Sequence, residues 1–192
     1  MTSTLTNLDH SGRALLGTVP AVFTTRAGAE RLGGTVRGLA PWQTVPVAGV
    51  EGRHLQVTAT PARHGPAGIE PLSGDVVGFL IGLHEQGDAV YITGDTVWYE
   101  GLAEVARRYR PRLVILFAGS AKTRGPFHLT MDTNDVIETA NAFPDAQIAA
   151  VHADGWAYLT EGREDLERAF AALGIGNRLR ALTAGTALKL EL

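Results

Sequence analysis

The fold is decided by Ala89-Val90-Tyr91-Ile92-Thr93-Gly94-Asp95-Thr96. Ala89–Thr93 is a short apolar run of strand formers, and it ends in a sharp turn that Gly94 permits and Asp95 occupies. Just upstream, Val76–Leu83 is a second apolar run. His84-Glu85-Gln86-Gly87-Asp88 between the two has the length and the glycine of a hairpin loop. Downstream, Val97–Tyr109 has the spacing of an amphipathic helix, with Pro111 just past its end. Leu113–Phe117 is a wholly apolar strand. Thr133–Ala142 reads as a helix, Gln147–Val151 as a strand and Arg163–Leu173 as a helix, with Arg180–Leu182 and Ala187–Leu190 as closing strands. Toward the N-terminus, Leu55, Val57 and Ala59 alternate with Gln56, Thr58 and Thr60, the pattern of a half-buried strand. Gln43–Val47 and Ala21–Thr24 are further strands. Thr25–Leu32 is a helix with Thr25 as N-cap and Gly33-Gly34 as its stop, and Gly12–Leu16 is a short helical piece. A hairpin followed by strand–helix alternation predicts an α/β fold, mixed sheet with helices on its outer faces, in one domain over residues 1–192. Periodicity leaves open whether this is a four-layer αββα sandwich or a single covered sheet.

Composition narrows the function classes. A chain of 192 residues is long enough for a substantial core. Hydrophobic residues at 45% and charged residues at 19% are ordinary for a globular protein. The net charge of −3, with no run of Lys and Arg, argues against a nucleic-acid-binding surface. The absence of cysteine excludes disulfides and thiolate metal sites. No apolar run reaches the roughly 18 residues of a membrane span, and Met1–His10 is polar with no signal-peptide character. The expectation is a cytoplasmic protein with no nucleic-acid or membrane partner.

Three segments place a metal-binding side chain where an apolar strand ends. His64 follows Leu55–Thr60 in Thr60-Pro61-Ala62-Arg63-His64-Gly65-Pro66. Asp95 follows Ala89–Thr93. His152 follows Gln147–Val151 in Ala150-Val151-His152-Ala153-Asp154-Gly155-Trp156. Imidazole and carboxylate suit zinc and similar divalent ions, and loops at strand ends are where a rigid sheet presents functional groups. Each segment alone is ordinary turn chemistry, and it is their repetition at successive strand ends that points to a site. Trp98, Tyr99 and Trp156 flank these loops and either line a pocket or belong to the core. Ser120-Ala121-Lys122-Thr123-Arg124-Gly125 is a basic loop suited to an anionic group, or a solvated turn. Asp154 either supports a ligand imidazole or caps its turn.

The order His64, Thr93-Gly94-Asp95-Thr96, His152 resembles the later metal ligands of the metallo-β-lactamase-fold hydrolases over essentially the whole chain. Phe127-His128-Leu129-Thr130-Met131-Asp132 and the helix after it are similar to the branch that includes the L-ascorbate-6-phosphate lactonases. The resemblance implies an αββα sandwich with one or two divalent metals, zinc or manganese, at one edge. It implies His64 on one metal, Asp95 bridging, His152 on the other, and Asp95 and His128 as catalytic groups. It further implies hydrolysis of an ester, lactone or phosphorylated small molecule by a metal-bound hydroxide.

The family's first motif, HxHxDH, is not matched. Asn7-Leu8-Asp9-His10-Ser11-Gly12-Arg13 is similar to its tail, which puts Thr2, Thr4, Thr6 and Asn7 at the ligand positions, with His10 as a conceivable substitute. Hydroxyls are poor zinc ligands. The expectation is therefore an N-terminally truncated or divergent member, lacking the initial strands, with a weak or incomplete metal site. The competing expectation is an inactive relative serving as a binding module. An uncovered sheet would also favour homo-oligomers, with Val76–Leu83 and Leu113–Phe117 as uncharged pairing runs.

Overall fold

A computed structural model describes residues 8, 10–49, 54–82, 89–123 and 125–190. The first-motif positions Thr2, Thr4, Thr6 and Asn7, the hairpin loop His84–Asp88 and Arg124 of the basic loop lie outside them.

The chain opens with helix α1 (His10–Leu16), strand β1 (Phe23–Thr24), helix α2 (Arg26–Leu32) and strand β2 (Arg37–Gly38). Thr25 caps α2 as the sequence predicts, its Oγ1 accepting a hydrogen bond from the Gly28 amide at 2.9 Å. β1 and β2 pair in parallel. The main sheet follows: β3 (Thr44–Ala48), β4 (His54–Pro61), β5 (Val77–Gly82), β6 (Val90–Ile92), β7 (Leu113–Phe117), β8 (Gln147–Val151) and β9 (Leu179–Arg180). Its strands stand side by side in sequence order. β3 to β6 are antiparallel neighbours, and β6 to β9 are parallel. Helices α3 (Glu70–Ser73), α4 (Glu100–Arg108), α5 (Thr133–Ala142) and α6 (Arg163–Ala172) occupy the connections.

The expected hairpin pairs Leu80 with Tyr91. β7, α5 and β8 have the predicted bounds. The expected closing strand Ala187–Leu190 is not a strand. β4 is not half-buried as its alternation suggests, because Val57, Thr58, Ala59 and Thr60 are all buried. Both of its faces are covered, so the threonines must find partners inside. Thr58 does, its hydroxyl meeting that of Thr44 at 2.8 Å.

Sheet register sorts the two faces. Leu80, Tyr91, Val114 and Ile148 lie in register across β5–β8. They pack with Leu102 and Val105 of α4, Val136 and Ala140 of α5, and Leu166 and Phe170 of α6 in the main core. On the opposite face, Val45, Val57 and Ala59 pack with Phe23 and Leu39 from the N-terminal unit of β1, α2 and β2. That unit covers only the antiparallel half. Over the parallel half the same face carries Ile92, Ile115, Phe117 and Val151, each only partly buried. Apolar surface is thus left on the face where a sandwich would pack its second sheet. The strands formed within the two runs expected to offer free edges, β5 and β7, are interior instead. Among the described residues the edges are β3, where Pro46 withholds an amide donor, and the two-residue β9.

Candidate active site

Strand direction brings the predicted residues to one edge. β4 runs antiparallel to β5 and β5 to β6, so β4, β6, β7 and β8 all end on the same side of the sheet. His64, Asp95 and His152 follow three of those ends.

The His64 and Asp95 loops are tied together. The Arg63 amide donates to Thr96 Oγ1 at 2.9 Å, and the Val97 amide donates to the Arg63 carbonyl at 2.9 Å. The Arg63 guanidinium also lies 4.5 Å from the centre of the Tyr99 ring. Gly94 makes the approach feasible: its φ is 68°, and a Cβ there would meet the Val77 carbonyl oxygen at 2.8 Å. The result is a His64 Nε2–Asp95 Oδ2 separation of 4.0 Å, with both side chains largely shielded from solvent. That is too long for a hydrogen bond, but it suits two donors that each sit about 2 Å from one shared ion. His64 Nδ1 faces the Ser73 carbonyl at 3.5 Å, a long contact that leaves Nε2 as the outward atom.

His152 stands at the end of β8, two strands or about 10 Å of sheet from β6. It adopts the left-handed conformation, φ 57°, uncommon for a residue with a side chain. Its Nδ1 is buried without a hydrogen-bond partner. The ring lies between Phe117 and Tyr158, with centroids 6.0 and 6.5 Å away. Tyr158 packs on His152 through its ring and feels Asp95 through its phenol: desolvation, and then the Asp95 charge, push that phenol above the usual range. An unpartnered buried nitrogen on a strained backbone is costly unless something engages it. The edge thus brings His64 and Asp95 together as a pair suited to a divalent metal, while His152 stands beside them without joining them in one group of close ligand atoms.

His128 forms a separate group. Its Nε2 meets Asp135 Oδ2 at 3.1 Å, and its Nδ1 lies 3.6 Å from Asp132 Oδ2. One ligand atom from each of the three lies within 4.8 Å of the others. Both carboxylates have further duties. Asp132 caps α5 by accepting from the Asp135 amide at 2.9 Å, and Asp135 Oδ2 accepts from the Trp98 amide at 3.0 Å. Asp135 therefore ties His128 to the loop that follows Asp95. Burial raises its carboxyl above the ordinary range, opposed by the Trp98 hydrogen bond.

Of the weaker expectations, Trp98 and Tyr99 pack against the main core, Trp156 is exposed, and the Lys122 amide donates to the Tyr158 carbonyl at 3.0 Å. His10 begins α1 and is exposed. Asp135 and Tyr158 escape sequence reading because their partners are distant in the chain. Only the Asp132-x-x-Asp135 spacing at a helix start hints at the first.

Two cavities of about 310 Å³ flank His64. Arg13, Phe23, Arg31 and Phe79 line one; Arg26, Leu39 and Arg63 line the other; Thr25 and Gly74–Val77 border both.

The chain resembles known proteins in sequence and in fold. The sequence profile described as beta-lactamase superfamily domain matches residues 10–153. The curated UPF0173 protein YddR of Bacillus subtilis is 31% identical over 115 residues, 59% of this chain and 44% of YddR. The chain thus spans less than half the length of that relative. Among solved structures, a possible metal-dependent hydrolase from Veillonella parvula superposes with a TM-score of 0.80 at 24% identity, covering 96% of this chain and 73% of that one. The isothiocyanate hydrolase from Delia radicum gut bacteria gives 0.74 at 24% identity, covering 95% and 72%. Igni18, a metallo hydrolase from Ignicoccus hospitalis, gives 0.70 at 20% identity, covering 96% and 76%.

Proposed function

Because the chain belongs to the beta-lactamase superfamily, we propose that it is a metal-dependent hydrolase acting on an ester, lactone or phosphorylated small molecule. One observation carries the reading. His64 and Asp95 are locked 4.0 Å apart on the sheet edge that also presents His152 with an unpartnered buried nitrogen. The names of the structural neighbours, two of them metal-dependent or metallo hydrolases, support it. His64 and Asp95 are the residues that would hold one divalent ion, either zinc or manganese, and His152 would serve a second at the same edge. A bound divalent ion supplies Lewis acidity and an activated water at neutral pH.

The remaining roles belong to the chain itself. The Ser73 carbonyl orients the His64 ring. The Arg63–Thr96 and Val97–Arg63 hydrogen bonds fix the spacing of the two ligand loops. His128 is the proton-transfer group, its Nε2 sharing a proton with Asp135 Oδ2 and its loop pinned by the Leu129 amide to the Ala121 carbonyl at 2.8 Å. The arginines about the cavities beside His64 favour an anionic substituent on the substrate.

Calorimetric titration with zinc and with manganese tests the reading, together with hydrolysis of an ester, a lactone and a phosphate ester. The expected result is metal-dependent turnover of at least one class. Asp95→Asn and His152→Asn should each weaken metal binding by at least tenfold while remaining folded, since Asn tolerates the left-handed backbone at position 152. Metal affinity identical in wild type and both variants would overturn the site. Failure of the wild type to bind any metal would favour the binding-module reading.

A further inference from the structure

The hydrolase reading leaves one feature of the site edge unused. From β7 outward, four rings follow one another: Phe117, His152, Tyr158 and Trp156. Phe117 and His152 are 6.0 Å apart, His152 and Tyr158 6.5 Å, and Tyr158 and Trp156 5.6 Å with planes 24° apart. Trp156 is 50% exposed, and its stacking partner covers one face only. The other two tryptophans are covered. Trp42 has the Arg108 guanidinium at 4.1 Å and Tyr109 stacked on it, while Trp98 packs on the main core.

The segment bearing the exposed rings is fixed in place. The Lys122 amide donates to the Tyr158 carbonyl, the Thr160 amide donates to Gly119, and Thr160 Oγ1 donates to the Ser120 carbonyl at 2.9 Å. Ala121 and Leu159 form a β-bridge. Gly119 permits this closeness: its φ is 93°, and a Cβ there would meet the His152 carbonyl oxygen at 2.5 Å. A rigid, half-exposed aromatic pair leading directly to a candidate metal ligand is a preorganised stacking surface. Exposed large apolar residues such as Leu15, Leu72 and Leu173 occur elsewhere, but none of them belongs to a ring stack. Behind the ladder, Phe117 joins the partly buried apolar strip of the parallel strands, so the surroundings are apolar as well.

We propose that Trp156 and Tyr158 form the specificity wall of the site and stack a flat aromatic group of the substrate, so that an aryl ester or aryl-substituted lactone is preferred over an aliphatic one. This rests on the hydrolase reading for its chemistry, but the stacking itself can be tested without turnover. The probe is 4-nitroanisole, a flat, neutral, non-hydrolysable ring that quenches indole emission on contact. Saturable quenching is expected in the wild type, lost in Trp156→Leu and retained in weakened form at Tyr158→Leu. Quenching that rises linearly with concentration and is equal in wild type and Trp156→Leu would overturn the proposal. In parallel, kcat/KM for 1-naphthyl acetate relative to ethyl acetate should fall at least tenfold in Trp156→Leu. The loss should lie mainly in KM and be largely restored by Trp156→Phe. An unchanged ratio would overturn the specificity role. If neither these esters nor the lactone and the phosphate ester are turned over while the quenching saturates, the hydrolase reading fails and the wall stands. Trp156 is exposed, so its substitution leaves the core intact.

Discussion

At the scale of single residues, Asp135 joins three parts of the chain. One oxygen receives the Trp98 amide and faces His128, while the residue's own amide completes the cap of α5. The carboxyl is nonetheless held above its ordinary range, because burial outweighs those contacts. The sign for stability follows. A carboxyl whose folded pKa lies above its unfolded pKa contributes most when both states are protonated, below the unfolded value near 4. That contribution is lost as pH rises through the folded value. Asp135→Asn removes the titration while an amide oxygen can still accept from Trp98. The stability of the wild type relative to Asp135→Asn should therefore decline as pH rises through and above the ordinary carboxylate range, as read by urea unfolding at a series of pH values. A flat difference would mean that the carboxyl behaves as it does in the unfolded chain. Tyr91 illustrates the same pressure in the core. Its hydroxyl and that of Thr60 are neighbours, yet neither completes a well-formed hydrogen bond, and burial drives the phenol far above its usual range.

At the scale of elements, local rules decide most boundaries. Thr25 is the clearest case: its side chain takes the Gly28 amide at the start of α2, and Thr25→Ala should cost about 1 kcal/mol. A lowering of Tm by roughly 2–4 °C in calorimetry is the expected reading. Elements that obey such rules were legible from sequence. β7 is five consecutive apolar residues, β8 is bounded by loop residues, and α5 begins at the Asp132 cap. Those that do not were missed. β2 has two residues and no pattern, and α3 is a single turn with Pro71 as its second residue. The end of β4 was misread as half-buried because Thr58 and Thr60 are polar in composition but covered by the core. The site divides along the same line. His64, Asp95 and His152 were visible because each ends a legible strand. Asp135, which reaches the Trp98 amide 37 residues away, and Tyr158, which reaches His152 through ring packing, depend on tertiary approach. No local pattern encodes such an approach.

At the scale of the whole molecule, the sheet is two sheets fused at β6. The antiparallel half is joined in part by short connections, β3 to β4 and β5 to β6. In the parallel half each pairing waits for α4, α5 or α6 to complete a crossover. The strands of the two runs expected to favour self-association, β5 and β7, lie inside the sheet, and the partly buried apolar face is the surface left over. The candidate site straddles the fusion. His64 comes from the antiparallel half, Asp95 from the shared strand, and His152 from the far side of the parallel half. Contacts that close long loops form late, so this division acquires a meaning in time. Pulsed hydrogen exchange during refolding should find β4 and β5 protected before β8, and zinc should bind only as β8 becomes protected. Protection of β8 first, or zinc capture in the earliest phase, would contradict this order. A half-built chain would then hold His64 and Asp95 ready but lack His152, and it would sequester no metal while still immature. Competence would arrive as the closing event of the chain's own assembly.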